Sequence, residues 1–144
     1  MNADALFPIA NFVALAGWAV LLASPFIPNV ADRVAATIIP LFFAVAYSGL
    51  VLAFWSGAEG GFDTLDSVAA LFLTPEMLLA GWLHYLAFDL FVGAWIARTA
   101  RAEAVPFWLV VPCLALTFLF GPAGYLTFCV IRAIGARSGR TITA

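Results

Sequence analysis

PEMLLAGWLHYLAFDLFVGAWIA, residues 75–97, decides the fold. The run is apolar for long enough to cross a bilayer, which takes roughly 20 residues as a helix. Near its middle it carries a histidine, His84, and a carboxylate, Asp89. An ionisable side chain at the centre of a bilayer costs roughly 2.5–3.5 kcal/mol on insertion scales, so such residues usually face a protein interior and have a task there.

The rest of the chain agrees with a membrane setting. Of its 144 residues 65% are hydrophobic and 10% charged, against about 25% charged in an ordinary soluble domain. A net charge of −2, with arginine as the sole basic residue besides the one histidine, supplies no basic stripe, which sets nucleic-acid binding aside. Asp4 precedes the first apolar run where a secretory leader would carry Arg or Lys, so that run is expected to be retained as a helix.

Four segments have the length of a span: about 6–24, 34–55, 75–97 and 106–131. The expected fold is therefore all-α, a polytopic membrane protein with a four-transmembrane-helix bundle in a single domain over 1–144. The short Ser24-Pro25 to Asp32-Arg33 connection makes the first two helices antiparallel neighbours. In the longer connection, Phe62, Leu65, Ala69 and Phe72 recur at helical spacing, which fits either a short interfacial helix over 62–73 or a solvated loop. Thr74-Pro75-Glu76 has the marks of a helix start: a capping hydroxyl, Pro at the first helical position and an acid in the first turn. Pro40, Pro112 and Pro122 are expected to kink helices two and four and to free carbonyls that Thr117 or Thr127 are placed to satisfy. Along one continuous fourth helix Cys113 and Cys129 lie about 24 Å apart and cannot bridge. They read as buried thiols.

With four through-spans, Arg33, Arg98 and Arg101 fall on one side and Arg132, Arg137 and Arg140 on the other. The positive-inside rule then returns a tie, and orientation stays open.

Placing each segment's midpoint at the membrane centre brings His84, Asn11 and Tyr47 to one depth, as a candidate polar layer. Asp89 lies about 7.5 Å further along the helix than His84 and about 140° around it. Tyr85 stands one turn before Asp89, so a phenol-to-carboxyl hydrogen bond is the simplest way to satisfy the acid. A neutral carboxylic acid is a competent proton donor and a neutral imidazole a competent base, so His84 and Asp89 are the candidate catalytic residues. The alternative is structural, the same groups ordering the bundle through hydrogen bonds to neighbouring helices. No cofactor is expected. One histidine cannot complete a two-His-one-carboxylate or bis-His ligand set, so a metal would require ligands from a second chain. Aromatic side chains deep in the spans, Trp82, Phe88 and Phe118 among them, suit a slot for an extended apolar ligand, or plain core packing. Small residues at Ala44 and Ser48, or at Gly93 and Ala97, are spaced for close helix contact within one chain or in a homo-oligomer.

The string Gly81 to Trp95 (GWLHYLAFDLFVGAW), followed by Val111-Pro112-Cys113-Leu114 and by Thr117 to Gly124 (TFLFGPAG), resembles the family of the plant abscisic-acid-deficient 4 protein. Asn11 and the Ala23-Ser24-Pro25 turn also look like its pattern, and the resemblance covers nearly the whole chain. It implies a small four-helix membrane protein, in a bacterial inner membrane here, with a carotenoid or related isoprenoid as ligand or substrate. In plants the family is implicated in neoxanthin synthesis, in which a xanthophyll epoxide opens to an allenic alcohol. The resemblance thus points to rearrangement, isomerisation or cleavage of a polyene with Asp89 and His84 as acid and base, and the reading of the spans adds Asn11, Tyr47, Trp82, Tyr85, Phe88, Phe118 and Pro122 as residues expected around the substrate. A non-enzymatic carotenoid-binding or scaffold protein is the other expectation.

Overall fold

The computed structural model describes the backbone of residues 2–141 and the side-chain surroundings of residues 2–135. All its regular structure is helical: α1 (Ala3–Leu22), α2 (Pro28–Arg33), α3 (Ile39–Phe54), α4 (Leu65–Leu71), α5 (Pro75–Ala102), α6 (Phe107–Phe120) and α7 (Pro122–Thr141). A π turn over Val34–Ile38 joins α2 to α3 in one rod. Three helices are long and apolar enough to cross a membrane, Ala3–Leu22, Pro28–Gly57 and Pro75–Ala102. Large apolar side chains such as Phe12, Leu41 and Leu52 stand on the outer surface, consistent with an integral membrane protein.

The helix starts follow from capping chemistry. The Asn2 side chain accepts from the Ala5 amide at 3.3 Å and Asp4 sits in the first turn of α1, where the exposed amides favour both. α5 begins with Pro75 and Glu76, but Thr74 makes no side-chain cap bond, so the expected capping hydroxyl is absent. In the preceding connection Thr64 does cap, accepting from the Ser67 amide at 3.1 Å at the start of α4. Pro40 cannot donate to the helical ladder, and the turn before it widens so that the Ile39 amide reaches Val34. The kink expected at this proline takes the form of a π turn.

α5 is the hub, packed by α1, α3, the π turn, α6 and α7. In lipid the packing of small residues, rather than apolar burial, draws helices together. Ala80, Ala87, Gly93, Ala94 and Ala97 of α5 are buried, and a Cβ on Gly93 would come within 2.7 Å of the Trp18 ring. Ala44 and Ser48, by contrast, lie on an exposed face. The Asn11–Trp82 and Trp18–Gly93 contacts make α1 parallel to α5. Asp32–Arg101 and Tyr47–His84 make the α2–α3 rod antiparallel to it.

The apolar stretch expected to be one span over 106–131 is two helices that fold back on each other. Gly121 breaks the stretch with φ 35° and ψ −87°, in the left-handed half of backbone space that side chains with a Cβ avoid. Gly124 then packs directly on Thr117 and on the Cys113 carbonyl, although eleven residues of continuous helix would hold 113 and 124 about 16 Å apart. Pro122 is the first residue of α7 rather than a kink within a helix, a position where its missing amide costs nothing. The reversal also removes the 24 Å separation expected of the cysteines: Cys113 and Cys129 stand on opposite arms, both as free thiols.

The open ends of this hairpin lie together. The Val105 amide bonds the Ala100 carbonyl at 2.9 Å, and Arg132 of α7 is paired with Glu103. The Arg132 guanidinium also rests 5.8 Å from the centre of the Trp95 ring, a favourable cation–π placement. At the tip, the Tyr85 hydroxyl donates to the Leu119 carbonyl at 3.1 Å and lies 3.4 Å from that of Phe118. It serves two of the carbonyls that every helix end leaves without partners.

Candidate functional site

The polar residues of α5 divide between two faces. On the face toward α3, His84 is exposed in a groove, stacked on Phe88 with ring centres 4.6 Å apart and 5.7 Å from the ring of Tyr47. The two residues line a cavity of about 260 Å³ together with Trp55, Phe62, Phe72 and Gly81. α4 places Phe72 over this space, and Gly81 leaves room for it, since a Cβ there would meet the Phe72 ring at 2.8 Å. Past Phe88 a separate hollow of about 380 Å³ lies on the same face of α5, along Pro40, Leu41, Ala44, Ala87 and Phe91. From Met77 to Phe91 the track runs about 21 Å along α5.

On the opposite face, Asp89 is 8% exposed and its Oδ2 is enclosed without a hydrogen-bond partner among the described residues. The tip of the hairpin closes over it, and any Cβ on Gly121 would overlap Oδ1. Tyr85 stands within hydrogen-bonding reach of the acid, as its spacing leads one to expect, and its hydroxyl also lies 3.1 Å from the Leu119 carbonyl of α6. Trp82 stacks on Tyr85 with ring centres 5.2 Å apart and donates its Nε1 hydrogen to Asn11 Oδ1 at 2.7 Å. Phe118 packs edge-on against Trp18 at 5.5 Å.

The expected polar layer is therefore split. His84, Tyr47 and Phe88 share the groove, while Asn11, Trp82, Tyr85, Asp89, Phe118 and Pro122 belong to the α1 and hairpin side. His84 and Asp89 do not form one centre, for the reason their spacing already contains: five residues along a helix turn two side chains about 140° apart. Among the described residues no group of three or more His, Cys, Asp and Glu gathers as a metal site would require. A third cleft of about 340 Å³, between α1 and α3 along Ile9, Phe43 and Leu50, has no polar side chain in its walls, which suits hydrocarbon and no chemistry.

Residues 5–128 match the family described as ABA DEFICIENT 4-like. The chain belongs to the ABA4-like family. The matched span starts in α1 and ends within α7, so it takes in the groove, Asp89 and the Gly121 reversal. Neither the curated proteins nor the solved structures yield a match. Sequence reasoning missed Gly121 and Gly124 as a reversal, although Gly121-Pro122 is a turn-marking pair followed by a favoured helix start.

Proposed function

We propose that this ABA4-like protein binds a carotenoid or related isoprenoid along the α3–α5 groove and promotes its rearrangement or isomerisation, with His84 and Tyr47 as the polar pair. The observation that carries the reading is the shared cavity: an imidazole and a phenol line one aromatic space of about 260 Å³, and a second, apolar hollow follows it on the same face of α5, the two together marking a track. The cavity has the size of a ligand's ring-shaped end, and the track suits the chain that follows it. An imidazole exposed at membrane depth leaves a polar ring facing hydrocarbon, which is costly until something hydrogen-bonds it. An oxygen on the ligand's end group fills that need. In the rearrangement His84 takes a proton from a polyene carbon, the electron pair forms the new carbon–carbon π bond as an epoxide C–O bond opens, and Tyr47 gives a proton to the released oxygen. Return of the proton from imidazolium to phenolate restores both groups. Asp89, enclosed under the hairpin, holds the tip and does not touch the ligand.

Expression in carotenoid-producing cells tests this. The pigment profile should change with the native chain and revert with His84→Ala and with Tyr47→Phe, while Asp89→Asn should retain the change wherever it folds. An unchanged profile with pigment co-purifying in mild detergent would overturn the enzymatic reading and leave a carotenoid-binding protein. The remoteness of Asp89 from His84 is what favours that second reading, since it takes the carboxylic acid out of the groove.

A further inference from the structure

The reversal at Gly121 changes how the charges divide between the two ends of the molecule. The first arm of the hairpin, Phe107–Phe120, is an apolar helix of 14 residues, or about 21 Å, and on the second arm the apolar run from Pro122 reaches its first charge at Arg132. Both runs fall short of the roughly 30 Å hydrocarbon core. The tip of the hairpin meets Asp89 near the middle of α5, and its two open ends meet at the Glu103–Arg132 pair. Irregular backbone at that depth is tolerated where protein covers it, and α5 covers it through Tyr85 and Asp89.

With three through-going helices and a hairpin that returns to its own side, Arg33, Arg98, Arg101 and Arg132 all stand at one end. Arg137 and Arg140 follow Arg132 along the same arm. At the other end lie Asp4, Glu59, Asp63, Asp66 and Glu76, with no arginine. The cavity beside His84 has its outer wall there, in Phe62 and Phe72 next to α4.

We infer that the α6–α7 hairpin is re-entrant, that the arginine end is the cytoplasmic face set against anionic lipid headgroups, and that the His84 cavity opens toward the opposite, non-cytoplasmic leaflet. Arginine and lysine near span ends set orientation, and acids contribute little. A fourth through-span divides the arginines evenly, whereas the hairpin collects them on one face. Juxtamembrane cations gain about 1 kcal/mol each near an anionic cytoplasmic leaflet. The inference does not rest on any ligand, so it stands or falls apart from the proposed chemistry.

Labelling of single cysteines with a membrane-impermeant thiol reagent, in intact cells and after permeabilisation, tests it. In a Cys113→Ala, Cys129→Ala background, Glu59→Cys and Asp63→Cys flank the cavity mouth. Ala102→Cys and Pro106→Cys mark the start of the hairpin, and Ala133→Cys its end. Two reporters at the mouth and two at the hairpin start guard against one variant failing to fold, and a fluorescent protein fused after Ala144 repeats the reading at 133. The mouth positions should label in intact cells, and 102, 106 and 133 only after permeabilisation, with the fusion fluorescent. Labelling at 133 from the face opposite 102 and 106 would overturn the hairpin. Protection of 59 and 63 together with labelling of 102 and 106 in intact cells, or equal labelling of both sets, would overturn the orientation.

Discussion

Two glycines in the sequence Gly121-Pro122-Ala123-Gly124 hold close approaches at the hairpin tip, and neither tolerates a methyl group. Gly121→Ala places a Cβ on a left-handed backbone and into Asp89 Oδ1, which should cost about 1–3 kcal/mol for the backbone strain alone. Gly124→Ala drives a Cβ into Thr117 and the Cys113 carbonyl and should separate the arms of the hairpin. Gly49→Ala is the control, since nothing lies within 4 Å of a Cβ there. Thermal unfolding in detergent should show the first two well below the native chain and the control beside it. At this scale the sequence identified the residue types but not their partners. His84 and Asp89 stand out in any apolar run, and their divergence around the helix follows from spacing alone. Which neighbour each one meets depends on where α3 and the hairpin lie, and no local pattern states that.

Among the elements, α1, α3 and α5 were legible because an unbroken apolar run of span length has few other uses, whereas α2, Pro28–Arg33, lies in the stretch expected to be a Pro-rich turn. The α6–α7 hairpin was not legible, because the apolar α6 and the apolar first turns of α7, joined by a single glycine, have the composition of one kinked span. Its closure rests on a charge pair that titrates. The Arg132 guanidinium beside Glu103 holds that carboxyl below its ordinary value of 4.5. A carboxyl with a lowered pKa in the folded state contributes stability that is present above its unfolded pKa and is lost as pH falls through the folded one. The native chain should therefore lose more thermal stability than Glu103→Gln as pH falls below about 4.5. The two should keep a constant offset at higher pH. High salt should shrink the offset, since the pair is largely exposed.

For the molecule as a whole, the proposed ligand of the groove beside His84 should shift the folding equilibrium. A ligand that binds the folded state alone raises stability by RT ln(1 + [L]/Kd), about 2.7 kcal/mol at a hundredfold excess over Kd. Adding a hydroxylated carotenoid in detergent should raise the unfolding temperature of the native chain. The rise should be smaller for His84→Ala and absent for Gly81→Leu, whose side chain displaces Phe72 into the cavity. A hydrocarbon carotenoid without oxygen should stabilise both the native chain and His84→Ala to the same smaller extent.

The extra residue wound into Val34–Ile38 has a consequence of its own. One rod must present Asp32 to Arg101 and, farther along, Tyr47 to His84, and each residue added to or taken from a helix swings everything beyond it by about 100°. Deleting Ala35 with the wide turn before Pro40 retained would force a choice between the two engagements. The shortened rod would keep its ion pair and turn the phenol toward lipid, or keep the phenol in place and release the aspartate. Loss of activity with intact folding would identify the first result, and retained activity with a looser arginine end the second.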